Sequence, residues 1–168
     1  MVLQASFGSH ERQTTGPSLA PSLANPQVVG GRDVWPERWG VNGKQLQELL
    51  DRVREDAEWR PDNSVYTLVD EYVVPWTKGG GVGYALQRNA EAPREVNLMV
   101  SHAWGENAED FLETMIRTAS KGDNMFICAL SLYQAGDQSG PTIAQQLGVD
   151  AKESPFRRVL EHIRLKGE

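Results

Sequence analysis

A chain of 168 residues is the size of one ordinary domain and leaves no room for two full cores and a linker. Its 17 Lys and Arg against 23 Asp and Glu give a net charge of −6, which supplies no field to hold a polyanion, so nucleic acid and anionic membrane are poor default partners. With 39% hydrophobic residues before its 16 glycines are counted, the chain is too apolar to be wholly disordered.

Residues 1–31 carry Gly, Pro, Ser, Gln and Asn with few large apolar groups and no period, and are expected to form a flexible tail ahead of a single α/β domain over 32–168. Trp35 and Trp39 bracket Pro36 and read as an irregular loop pinned by its indoles. Leu46, Leu49, Leu50, Val53 and Ala57 recur at helical spacing, which predicts an amphipathic helix from Lys44 to Trp59. A second helix is predicted from Ser64 to Val74, with Val65, Leu68, Val69, Tyr72 and Val73 inward and Pro75 as its stop. These two helices form a lead-in over 43–75.

Residues 76–92 hold the densest run of glycine, at Gly79, Gly80, Gly81 and Gly83. A phosphate loop needs Gly-Lys-Ser/Thr between a strand and a helix, whereas Lys78 precedes the glycines here and a helix precedes the loop. The segment is therefore expected to be a flexible connector. Beyond it the pattern changes: Glu95–Ser101 reads as a buried strand, Asn107–Ser120 as a helix, and Asn124–Tyr133 as a strand covered on both faces. Strand, helix and strand make a right-handed parallel βαβ unit. A short helix over Thr142–Leu147 and a last helix capped by Ser154 follow, the latter with Phe156, Val159, Leu160 and Ile163 inward. Two parallel strands are too few for a sheet. The missing strand is expected from residues 83–87, from another chain, or, the reading preferred here, from a longer native protein continuing past Glu168.

In an open α/β sheet the ligand crevice lies outside the carboxyl ends of the strands, and Ser101, His102, Trp104, Glu106, Gln134 and Asp137 gather there. Ser101 and Gln134 suit a sugar or amide, Trp104 suits a base ring, and His102 serves equally as a base or ligand and as a strand-end side chain bonded to backbone. His102, Glu106 and Asp137 have no metal-ligand spacing, so no metal is expected. Cys128, the single cysteine, is expected mid-strand as a buried thiol of raised pKa, a packing residue and not a nucleophile. One cysteine forms no internal disulfide, which suits a reducing compartment. The longest apolar stretch, Met125 to Leu130, is too short to span a bilayer and too far from the N-terminus for a signal peptide, so the expectation is a soluble, cytoplasmic protein.

Val96-Asn97-Leu98-Met99-Val100-Ser101-His102-Ala103-Trp104-Gly105-Glu106 resembles the opening strand of Toll/interleukin-1 receptor (TIR) homology domains, an apolar strand closing on Ser-His or Ser-Tyr. Together with Val74–Gly79, Phe126–Gln134 and Gly140–Leu147, it is similar to an uncharacterised family of TIR-like proteins in unicellular algae, over roughly Val65 to Arg164 and within a TIR-like part spanning 93–166. The resemblance implies a flavodoxin-like parallel sheet, here incomplete, and a role in signalling or assembly through a protein partner, self-association or a bound nucleotide. For some TIR domains it also implies cleavage of NAD by a glutamate in a Trp-Cys-x-x-Glu type segment on a later helix. No such segment occurs here, so the resemblance carries over only Ser101, His102 and Trp104, and the 168 residues alone are not expected to cleave NAD. Two alternatives stay open: an NAD-cleaving hydrolase whose glutamate lies past residue 168, and a structural subunit completed by a partner chain.

Overall fold

The computed structural model describes residues 24–167, so most of the expected tail lies outside the described residues. The described chain is mixed α/β. At its centre, β4 (Leu98–Val100) and β5 (Asn124–Ile127) pair in parallel, with Val100 opposite Ile127, and α5 (Ala108–Thr118) crosses between them. This is the predicted βαβ unit. The third strand comes from none of the three expected sources, the preferred continuation past Glu168 included: β3 (Val41–Asn42) lies antiparallel on the other side of β5, giving the order β3-β5-β4.

Side chains alternate along β5, so Met125 and Ile127 enter one apolar cluster while Phe126 enters another. The first cluster is built from α1 (Gly43–Arg54), α5 and the helical segment after Ser64, with Leu46, Leu49, Val53, Val65, Val73 and Leu112 fully buried. The second joins Trp39, Leu86, Val96, Leu132 and Val159 around Phe126, whose ring stands 6.5 Å from Trp39 and 5.5 Å from Phe156. Both faces of β5 are thus covered, which explains why it reads as an apolar run.

Several expectations fail: the helix expected to reach Trp59 ends at Arg54 and leaves Ala57 exposed, and the strand expected to be buried over Glu95–Ser101 is only Leu98–Val100, at the sheet edge with Leu98 40% exposed. The tail reading fails at its C-terminal end, where β1 (Gln27–Val29) and β2 (Arg32–Val34) form a hairpin across Gly30 and Gly31, both at positive φ; that turn lets the strands pair without a large apolar run. Pro75 does not stop its helix: α2 (Val65–Leu68), a π-helical turn (Val69–Val73) and α3 (Val74–Thr77) run on as one segment. The Val74 N–H reaches back five residues to Val69 O, and the widened turn absorbs the proline that a regular helix would reject. The expected strand to Tyr133 ends at Ile127, and α6 (Cys128–Ser131) begins at once, because the Ser131 hydroxyl accepts the Ile127 N–H at 3.1 Å. Leu160 of α8 (Pro155–Lys166) is 53% exposed, since Phe156, Val159 and Ile163 alone cover the second cluster.

The glycine-rich segment is packed, not a loose connector. It contains α4 (Tyr84–Arg88), and a Cβ on Gly83 would run into Ser131 O, as one on Gly81 would into Ser139 O. The Gly83 N–H also donates to Gln27 Oε1 at 2.8 Å. Gly83→Ala should therefore destabilise the protein by about 1–3 kcal/mol, the usual cost of overpacking, while Gly122→Ala, with open space around it, stays within about 0.5 kcal/mol. Urea unfolding distinguishes the two readings, because equal midpoints for both variants would restore the flexible connector.

Candidate functional site

Because β4 and β5 are parallel and in register, the residues that leave them emerge on one edge: Ser101 and His102 after β4, Cys128 after β5. The early turn into α6 swings the Cys128 side chain toward the neighbouring strand, and His102 Nε2 lies 3.0 Å from its Sγ. Cys128 is therefore half-buried at a bend, which corrects its mid-strand placement. Burial does push the thiol up, and the backbone N–H groups of Ala129 and of Cys128 itself oppose that rise in part. Gln134 closes the same corner by donating from Nε2 to Cys128 O at 3.0 Å.

The His102 ring is held by packing: Trp104 stands edge-on at 5.2 Å and Phe111 lies 5.4 Å away. Its Nδ1 is buried without a hydrogen-bond partner among the described residues. Trp104 in turn stacks on Tyr66, centroids 5.3 Å apart and planes 28° apart, and Tyr66 is 56% exposed. Backbone bonds fix this arrangement, since Tyr66 N–H donates to Trp104 O and Val65 N–H to Glu106 O, each at 3.0 Å. Asn107 completes the frame: its Oδ1 caps α5 by accepting from Asp110 N–H, and its Nδ2 donates to Pro61 O at 2.7 Å.

Of the six expected site residues, four cluster and two do not. Ser101, His102, Trp104 and Gln134 share the edge. Glu106 instead closes its own loop, accepting the Ala103 N–H at 2.7 Å while its N–H returns to Ala103 O. Asp137 clamps the glycine segment, accepting from Tyr133 Oη at 2.6 Å, Gly79 N–H at 2.8 Å and Ser139 N–H at 2.9 Å. Sequence reasoning missed Cys128 and Tyr66 as members of the edge. Cys128 was findable only by ending β5 six residues earlier, which its near-continuous apolar run conceals; Tyr66 left no signal, because nothing local ties it to Trp104.

Cavities of about 340 Å³, lined by Gln27, Trp39 and Gln146 among others, and about 410 Å³, lined by Glu95, Asn97 and Lys166 among others, lie away from this edge. Among the described residues no group of three or more His, Cys, Asp or Glu is placed to hold a metal ion, and no helix is long and apolar enough to cross a membrane. Compared with known proteins, the chain matches no family model, no curated protein and no solved structure. The likeness to TIR domains therefore rests on the residues quoted for it.

The Asp137 clamp has a pH signature. Hydrogen bonds from the Tyr133 phenol and the Gly79 N–H hold its carboxyl below the ordinary aspartate range. A carboxylate depressed on folding stabilises the protein above that range and withdraws the contribution as pH falls through it. Asp137→Asn should thus lower Tm near neutral pH and narrow the loss of Tm on acidification. Parallel Tm curves for the two proteins between neutral and acid pH would remove the clamp.

Proposed function

We propose that the chain is a ligand-binding α/β domain of signalling or assembly type, which takes a planar nitrogen-containing ring, such as the nicotinamide ring of NAD, against Tyr66 and Trp104. The observation that carries this reading is the aromatic stack: Tyr66 is 56% exposed against Trp104, and Trp104 stands beside His102 just past the carboxyl end of β4. A stacked pair can be extended by a third ring, and a cationic ring gains a further ~0.5–2 kcal/mol on an electron-rich face. The net charge of −6 favours a neutral or cationic ring and leaves any phosphates in solvent. The resemblance of Val96–Glu106 to the first box of TIR domains supports the same edge, and the parallel β4–β5 pair is the element that a flavodoxin-like sheet would share. Binding, not cleavage, is proposed: Glu106 and Asp137, the carboxylates expected at this edge, are both engaged by backbone N–H groups.

The test is thermal melting with NAD and with nicotinamide riboside, together with light scattering over a concentration series. A ligand present at a hundredfold above its Kd adds about 2.7 kcal/mol, which appears as a rise of several degrees in Tm. Tyr66→Ala, at an exposed position, should keep the fold and lose that rise. An unshifted Tm with both compounds and a monomer unchanged at every concentration, with and without them, would sink the proposal.

A further inference from the structure

The Cys128–His102 pair is chemistry that ring binding does not use. From its geometry we infer that Cys128 is a peroxide-reactive thiol, with His102 accepting its proton as the sulfur is oxidised to the sulfenic acid. A nucleophile within hydrogen-bond reach of a base is the arrangement that activates a thiol, and Sγ and Nε2 are 3.0 Å apart. Cys128 directly follows the last residue of β5, at the carboxyl end that lies in register with β4, from which His102 comes. Access selects the oxidant. Cys128 is half-buried, so a small hydroperoxide suits it better than a peptide or acyl substrate.

The step balances without further reactants. A sulfur lone pair attacks one peroxide oxygen, the S–O bond forms as the O–O bond breaks, and the departing hydroxide takes up the thiol proton by way of His102 Nε2. Cys128 is oxidised by two electrons, the peroxide is reduced to water, and the imidazole ends as it began. With a single cysteine in the chain, the sulfenic acid has no internal thiol to close on, so an added thiol must return it to the reduced state.

The experiment treats the full chain with hydrogen peroxide and traps the sulfenic acid with dimedone, reading the adduct by intact mass, beside a peptide of residues 124–133 as an unfolded reference. Burial alone predicts that the native thiol reacts more slowly than the peptide; assistance by His102 predicts that it reacts faster. Cys128→Ser should give no adduct, and His102→Gln, which keeps the side-chain volume, should slow the reaction at least about tenfold, a modest share of what a positioned proton acceptor contributes. A native chain no faster than the peptide, or a folded His102→Gln protein as fast as wild type, overturns the inference. The native-to-peptide comparison decides it even where a variant fails to fold, and it is independent of ring binding.

Discussion

Ser131 sits where β5 turns into α6, and its polar atoms tie together segments far apart in the chain. The hydroxyl accepts the Ile127 N–H and donates to Trp39 O at 2.9 Å; its carbonyl accepts Gln27 Nε2 at 2.8 Å; the other end of the Gln27 amide accepts the Gly83 N–H. All of this is buried, with Ser131 fully inaccessible and Gln27 2% exposed. A buried polar group left unpaired costs about 1–3 kcal/mol, so each bond in the chain constrains the next. Together they stop the strand, seat the hairpin and bring the glycine segment against α6. Only a residue without Cβ fits at Gly83, because its backbone rests on the carbonyl that Gln27 bonds.

The site is a consequence of that turn. Cys128 keeps the alternation begun in β5 and packs in part against the second apolar cluster, which also holds Phe126. Ending the strand at Ile127 places Cys128 at the carboxyl edge, where β4 delivers His102 in register. The remaining polarity of the neighbourhood is spent locally. Glu106 holds its own loop and Asp137 holds the glycines, so the edge keeps an imidazole, a thiol, a hydroxyl and an amide among aromatic rings, with both expected carboxylates engaged elsewhere. The stacking and thiol chemistry proposed for this edge rest on those groups and need no paired acids.

What was legible in the sequence was local. The spacing of Leu46, Leu49, Leu50 and Val53 marks α1 because those residues share one helix face; Asn107 marks the start of α5, and Thr142 with Gln145 the start of α7 (Ile143–Leu147), because cap and capped groups are three residues apart. The illegible parts depend on distance. Gln27 meets Ser131 across 104 residues, and neither has a partner until the fold exists. Phe126 to Leu130 is apolar whether it forms a strand or a helical turn, so periodicity alone could not place the bend. Pro75 misled for a different reason: a proline ends a regular helix, and the π turn that accommodates it has no sequence signature. Among the site residues, position after a strand identified Ser101, His102 and Trp104, while Glu106 and Asp137, chosen on the same ground, were claimed by backbone donors invisible in the sequence.

A sheet of three strands, none longer than four residues, is too small to stand as an isolated sheet, and its stability must come from what covers it. One face carries α1, α5 and the helical segment through Pro75, the last joined to the rest by a run of rings from Trp59 through Tyr72 and Trp76 to Tyr84, with Arg52 3.7 Å above Trp76. The other carries α4, α8 and the Trp39 loop, joined at the surface by the paired bonds of Arg158 to Glu37 and by Arg158 over Trp35. Each fully buried aliphatic or aromatic side chain contributes about 1.5–3 kcal/mol, so these two layers, more than the strand ladders, set the stability. The ladders instead set position. With layers on both faces, strand ends, a half-buried thiol and a partly exposed aromatic stack come together at the carboxyl edge of β4 and β5.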